Sequence, residues 1–248
     1  MSRPCFGLAL ASLLVLSGSA SADSFYFASP GSTTWNGVYV NAYSANDISR
    51  NQNSLAIYCD DWNTDFSGNP TWNANVYALT PGNVSHFRFG NTPQDYNLTL
   101  NSGSLGYGLS PSLSPHDIYD RYLEAAWLDQ QWQNAVANGT GTRDLQIELA
   151  AAEWSLFVDG AHVGGLIGSI NSSGYAAAVY NDLEAAQNAV AGGYDAADWE
   201  VIVPEGNTFD MQEFLTDPPS IPEPSALILL GTVAGILGLT KLRRKRRV

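Results

Sequence analysis

The last 27 residues, from Pro222 to Val248, constrain this chain more than any other stretch. A Pro222-Glu223-Pro224 triplet comes first. An apolar run free of charge and proline follows from Ser225 to Thr240, and Lys241, Arg243, Arg244, Lys245, Arg246 and Arg247 close the chain. Proline fixes φ, lacks an N–H and pushes the preceding residue to extended backbone, so the triplet is an exposed, non-helical joint. As a helix the run through Leu242 rises about 27 Å, which spans a thin bilayer if Lys241 snorkels to the interface. The basic cluster then holds that end on the cytoplasmic side.

The other end is consistent with export. Arg3, an apolar segment from Phe6 to Leu16 and the small residues Ala20-Ser21-Ala22 read as a secretory signal peptide over residues 1–22, which makes Asp23 the first mature residue. Cys5 precedes the apolar segment, which argues against a lipoprotein leader. The expected organisation is an acidic extracellular domain over 23–217, a Pro-rich linker over 218–224, one transmembrane helix over 225–242 and a basic cytoplasmic tail over 243–248. A GPI-type tail would end in its hydrophobic stretch, without six terminal cations. In its three parts and their order the tail resembles the PEP-CTERM sorting signal of Gram-negative surface proteins. That resemblance implies an exosortase-type sorting protease as partner, passage through the inner membrane, cleavage near Pro222, Glu223 and Pro224, and delivery to the cell surface or an exopolysaccharide matrix.

Charge is distributed unevenly. All 24 acids lie between Asp23 and Glu223, accompanied only by Arg50, Arg88, Arg121 and Arg143 and by no lysine. So acidic a body repels nucleic acid and anionic lipid, and it favours solubility or cation binding. Cys5 leaves with the leader, so Cys59 is the only mature cysteine and no intramolecular disulfide forms. Stability must come from packing.

The fold class expected is α+β: a β-rich first half over 23–113, a helical half over 114–193, and a strand and tail over 194–217. Short apolar or alternating runs at 37–42, 54–59, 75–79 and 86–89 read as strands separated by Asn, Gly, Ser and Pro turns. Ser114-Pro115 opens a helix over 116–137. A second helix over 143–157 carries Leu145, Leu149, Ala152 and Leu156 on one stripe. A third is expected over 172–191, with Tyr175, Val179, Leu183, Ala186 and Val190 on one face. Trp199, Val201 and Val203 alternate in a strand over 198–203.

Chemistry is sparse. Cys59 ends an apolar strand, and a later helix carries Ala152-Glu153-Trp154. A strand-end cysteine with such a helical segment is faintly similar to the thioester domains of bacterial surface adhesins, where a glutamine four residues before the tryptophan bonds to the cysteine. Here that position is Ala150, and Gln146 lies one turn earlier, so the amide the cross-link needs is missing. Cys59 is left as a buried small hydrophobe, an intermolecular disulfide or a reactive thiol. Asp60, Asp61, Asn63 and Asp65 alternate oxygen ligands as a calcium loop does, but Phe66 and Trp72 stand where that loop needs Gly and Glu. Trp62 and Trp72 flank a turn-rich segment and are the best candidates to stack on sugar rings. Asp144, Glu148 and Glu153 read as solvated helix acids. No HExxH spacing or GxSxG elbow exists. The sequence therefore predicts a non-enzymatic surface or matrix protein with a structural or adhesive role and no cofactor beyond a weak calcium candidate. A secreted polysaccharide-active enzyme and a calcium- or glycan-binding module are the alternatives.

Overall fold

Along Gln52–Cys59, Leu55, Ile57 and Cys59 pack into one core while Tyr58, with Ala56 beside it, packs into another. A strand with period-two side chains buries both faces only when something covers each of them. A computed structural model shows what does. It describes residues 22–29, 31–40, 42–60, 62, 71–90, 118–158, 162–205 and 212–217. Six strands close into an antiparallel barrel: β1 (Asp23–Ser29), β4 (Tyr43–Asp47), β5 (Gln52–Cys59), β8 (Phe214–Thr216), β7 (Glu200–Pro204) and β6 (Thr71–Ala78), in that order around the wall. The interior holds Phe25, Tyr43, Ala45, Leu55, Ile57, Cys59, Trp72, Ala74, Ile202 and Phe214. A barrel this narrow is filled by its own side chains. Between β1 and β4 lies a small hairpin, β2 (Thr34–Trp35) and β3 (Val38–Tyr39). Asn36 and Gly37 turn it at φ values of 49° and 84°, the left-handed pair that matches strand twist.

The outer face of the barrel packs on helices α1 (Ile118–Ala137), α2 (Arg143–Phe157), α3 (Val163–Ser173) and α4 (Ala176–Ala191). Thr142 caps α2 by accepting a hydrogen bond from the Leu145 amide at 3.2 Å. The α+β class, with strands early and helices late, is therefore observed, and the last two strands, which follow the helices, complete the barrel wall.

Three local expectations need correction. Residues 172–191 are not one helix: Gly174 at φ 81° ends α3, and α4 begins two residues later. Residues 86–89 are not a strand: His86 closes a 3-10 turn, Val84–His86, and the Arg88 amide beyond it donates to Glu213 at 2.7 Å. Strands β1, β4 and β8 lie outside the predicted runs. No helix among the described residues is long and apolar enough to cross a membrane. The leader, the Pro222-Glu223-Pro224 triplet, the span expected over 225–242 and the basic tail lie outside the described residues.

Register gives the barrel two distinct rims. Glu200 pairs with both Ala78 and Thr216, and Phe25 with Asp47. One rim thus gathers the start of β1, the β4–β5 turn and the end of β8. At the opposite rim Cys59 pairs with Phe214, and Tyr43 with Ile57. Arg50 ties the first rim together, contacting Asp23 at 2.8 Å, Glu200 at 2.8 Å and Asp47 at 3.5 Å. Its side chain is 34% exposed, so solvent screens these pairs. Arg50→Ala should lower stability by about 1 kcal/mol, with the loss shrinking in high salt. Urea unfolding at two ionic strengths checks this.

Candidate functional site at the far rim and the barrel–helix seam

Trp154 joins the helices to the barrel. Its indole N–H donates to the Cys59 carbonyl at 2.8 Å. The Cys59 side chain, 1% exposed, points into the barrel, whereas Ala150 lies in the other core among the helices. Strand-end cysteine and helical tryptophan are thus neighbours through backbone and indole. Gln146 is engaged elsewhere: the Thr33 hydroxyl donates to its Oε1 at 2.6 Å, and its Nε2 faces the Val40 carbonyl at 3.5 Å.

Around Trp154 an aromatic stack runs outward. Trp62 lies 5.0 Å from it, and Trp35 lies 6.4 Å away and nearly parallel. Trp35 also meets Trp62 at 5.9 Å and Tyr175 at 6.4 Å. Trp35 is fixed by donating from Nε1 to the Ser173 hydroxyl at 2.9 Å, and Tyr175 by donating to Asp144 at 2.9 Å. Trp35 and Trp154 are buried; Trp62 and Tyr175 are half-buried, at the edge of the stack. Trp72 is not a surface residue. It lies inside the barrel against Phe25, which corrects its candidacy as a sugar platform.

Beside the stack is a cluster of buried acids that sequence reasoning did not assemble. Asp60, just after β5, is fully buried, and so is Glu213, just before β8. Glu213 accepts from the Tyr122 hydroxyl of α1 and from the Arg88 amide, and the charge of Asp60 also bears on Tyr122. Asp129 of α1 and Glu153 of α2 are buried as well. Burial pushes Glu213 above the usual carboxylate range. Asp129 goes well above it, by burial and then by the charge of Asp60. The Tyr122 hydroxyl is raised by burial and by Glu213. Glu153 is therefore no solvated helix acid, although Asp144 of the same helix is exposed. The signal was present locally: Glu153 sits between Ala152 and Trp154 on the buried side of α2.

Of the calcium candidates, only Asp60 is described; Asp61, Asn63 and Asp65 lie outside the described residues. Among the described residues, no group of three or more His, Cys, Asp or Glu is placed to hold a metal ion. What the seam presents is an aromatic edge beside a set of buried carboxyls.

No family model and no curated protein matches the chain. Among solved structures, the chain is similar to the N-terminal domain of the Streptococcus pyogenes pilus tip adhesin Cpa, at 11% identity and a TM-score of 0.41, over 81% of this chain and 94% of that one.

Proposed function

We propose that the chain is an exported surface or matrix protein whose acidic body has a non-catalytic, adhesive role. In this reading a signal peptide and a PEP-CTERM tail, read by an exosortase-type protease at the inner membrane, deliver the body with its far rim turned outward. The observation that carries it is the polarity of the barrel. Asp23 and Thr216, the first residue of β1 and the last of β8, belong to one rim, so the chain enters the body and departs toward its tail at the same end. The half-buried edge of the aromatic stack, Trp62, follows β5 at the opposite end. A tethered body of this kind presents its aromatic edge away from the anchor, where exopolysaccharide rings can pack on it. The acids of the body oppose anionic surfaces and nucleic acid, leaving uncharged glycan as the fitting partner.

Two measurements test this. Intact mass of the protein recovered from the cell surface and medium should show a chain ending near Pro222–Pro224. Full-length protein confined to the inner membrane would sink the sorting half. Trp62→Ala should weaken retention on extracted exopolysaccharide by about tenfold, the loss of one stacking contact. Unchanged retention removes the adhesive half.

A further inference from the structure

The hydrogen bonds that fix the aromatic edge also fix a polar set beside it. Trp62 and Tyr175 both contact the buried Trp35, at 5.9 and 6.4 Å, and the Tyr175 ring meets it edge-on at 75°. The Tyr175 hydroxyl donates to Asp144 at 2.9 Å, and Arg143 lies 4.0 Å from the same carboxylate oxygen. An Arg–Asp pair this exposed, 62% and 69%, ordinarily swings free, because ordering the two side chains costs about as much as their attraction returns. This pair is tied down from outside its helix. Arg143 donates to the Thr34 carbonyl of β2 at 3.0 Å, and Asp144 is held by Tyr175, which joins α3 to α4. Rings supply contact area to a sugar, and polar groups held in place beside them supply its orientation. We infer that Arg143, Asp144 and Tyr175 are the polar half of a sugar subsite on the aromatic edge, with the Tyr175 ring as a second platform beside Trp62 and Asp144 as acceptor for neighbouring hydroxyls of a neutral hexose.

The capacity of these groups sets the class of sugar. A carboxylate offers about four acceptor sites, and Tyr175 takes one of them, so room remains on Asp144 for two adjacent ring hydroxyls. Arg143 gives one guanidinium donor to the Thr34 carbonyl and keeps others for sugar oxygens. Glu148 lies one turn along α2 from Asp144, so the two acids outweigh Arg143 and the local field opposes the carboxylate of a uronic acid. The subsite is also built in advance. The β2–β3 hairpin, the start of α2 and the α3–α4 junction meet here, with Trp35 bonded to Ser173 and Thr33 to Gln146, so a bound sugar has little left to order.

The inference rests on the adhesive reading of the Trp62 edge, and the test separates the two. Extracted exopolysaccharide is split by anion exchange into neutral and acidic fractions, and the full chain in detergent micelles is titrated with each. The unaltered chain should bind the neutral fraction more tightly than the acidic one. Asp144→Asn, which keeps the size of the side chain, should weaken binding to the neutral fraction about tenfold, the loss of a hydrogen bond to a charged acceptor. Tyr175→Phe keeps the platform but loses the bond that orients Asp144, and should cost about threefold. Hydroxyl-radical footprinting with the neutral fraction bound should protect Trp62 and Tyr175 together. Should either variant fail to fold, this footprint of the unaltered chain decides. Binding that both variants leave unchanged, protection of Trp62 without Tyr175, or tighter binding of the acidic fraction overturns the subsite and leaves the adhesive edge standing. Binding to neither fraction removes the adhesive reading itself, and the subsite with it.

Discussion

Trp154→Ala should destabilise the body by about 3–5 kcal/mol, a large part of the roughly 5–15 kcal/mol that holds a domain together. The side chain is 1% exposed, and its ring is in contact with Trp35 and Trp62, so truncation leaves an apolar cavity lined by groups fixed from two directions. The indole also carries the 2.8 Å hydrogen bond to the Cys59 carbonyl at the end of β5. Trp154→Phe separates the two contributions. It keeps most of the ring volume and removes the indole donor to the buried carbonyl, for an expected loss of about 1–3 kcal/mol. Urea unfolding of both variants checks the pair of values. A silent Trp154→Phe would mean that the indole bond does not hold helix to barrel, and the seam would then rest on packing alone.

That contact shows how far the sequence could be read. Helix α2 was legible in full, because Leu145, Leu149, Ala152 and Leu156 recur at helical spacing. Its neighbour α3 was not. Gly164, Gly165 and Gly168 each lower helix propensity by about 1 kcal/mol relative to alanine, and the helix forms because Leu166 and Ile170 are fully buried against the rest of the core. Tertiary burial overrode local preference there, and the break at Gly174 was hidden because Tyr175 sits in phase with the α4 stripe. The three-residue β8 has too few positions to show alternation, and only its pairing with β5 and β7 makes it a strand. The buried acids were out of reach for another reason. Asp60 and Glu213 stand on opposite sides of the helical region in sequence, and Asp129 and Glu153 on separate helices. An isolated acid is read as solvated until the fold buries it, so no local pattern marks it. The aromatic stack was half legible: Trp62 was singled out, but its neighbours Trp35 and Trp154 arrive from the β2–β3 hairpin and from α2.

Trp72→Ala should be as damaging as Trp154→Ala, about 3–5 kcal/mol, whereas an exposed sugar-stacking tryptophan at this position would tolerate alanine within about 0.5 kcal/mol. The difference follows from the barrel. Trp72 lies opposite Phe25 in the β1–β6 pairing, and its ring lies 5.4 Å from that of Phe25, 6.0 Å from Phe214 and 6.4 Å from Phe27. Ala45 and Ala74 leave room for these rings, so the interior is a fit of large against small side chains. A wall closed by hydrogen bonds on every side yields little, so the space vacated by the indole stays open and the loss falls at the upper end of the range. Trp72→Phe, which retains a ring against Phe25, should lose less than half as much. Because β7 and β8 follow the helices in the chain and still complete the wall, barrel and helices should unfold together. Fluorescence of the remaining tryptophans and far-UV circular dichroism should then give coincident urea transitions for Trp72→Ala, at a lower midpoint and with an unchanged slope. If the signal of the helices persists after the barrel has melted, the seam does not couple them, and the Trp154 bond cannot carry the role assigned to it.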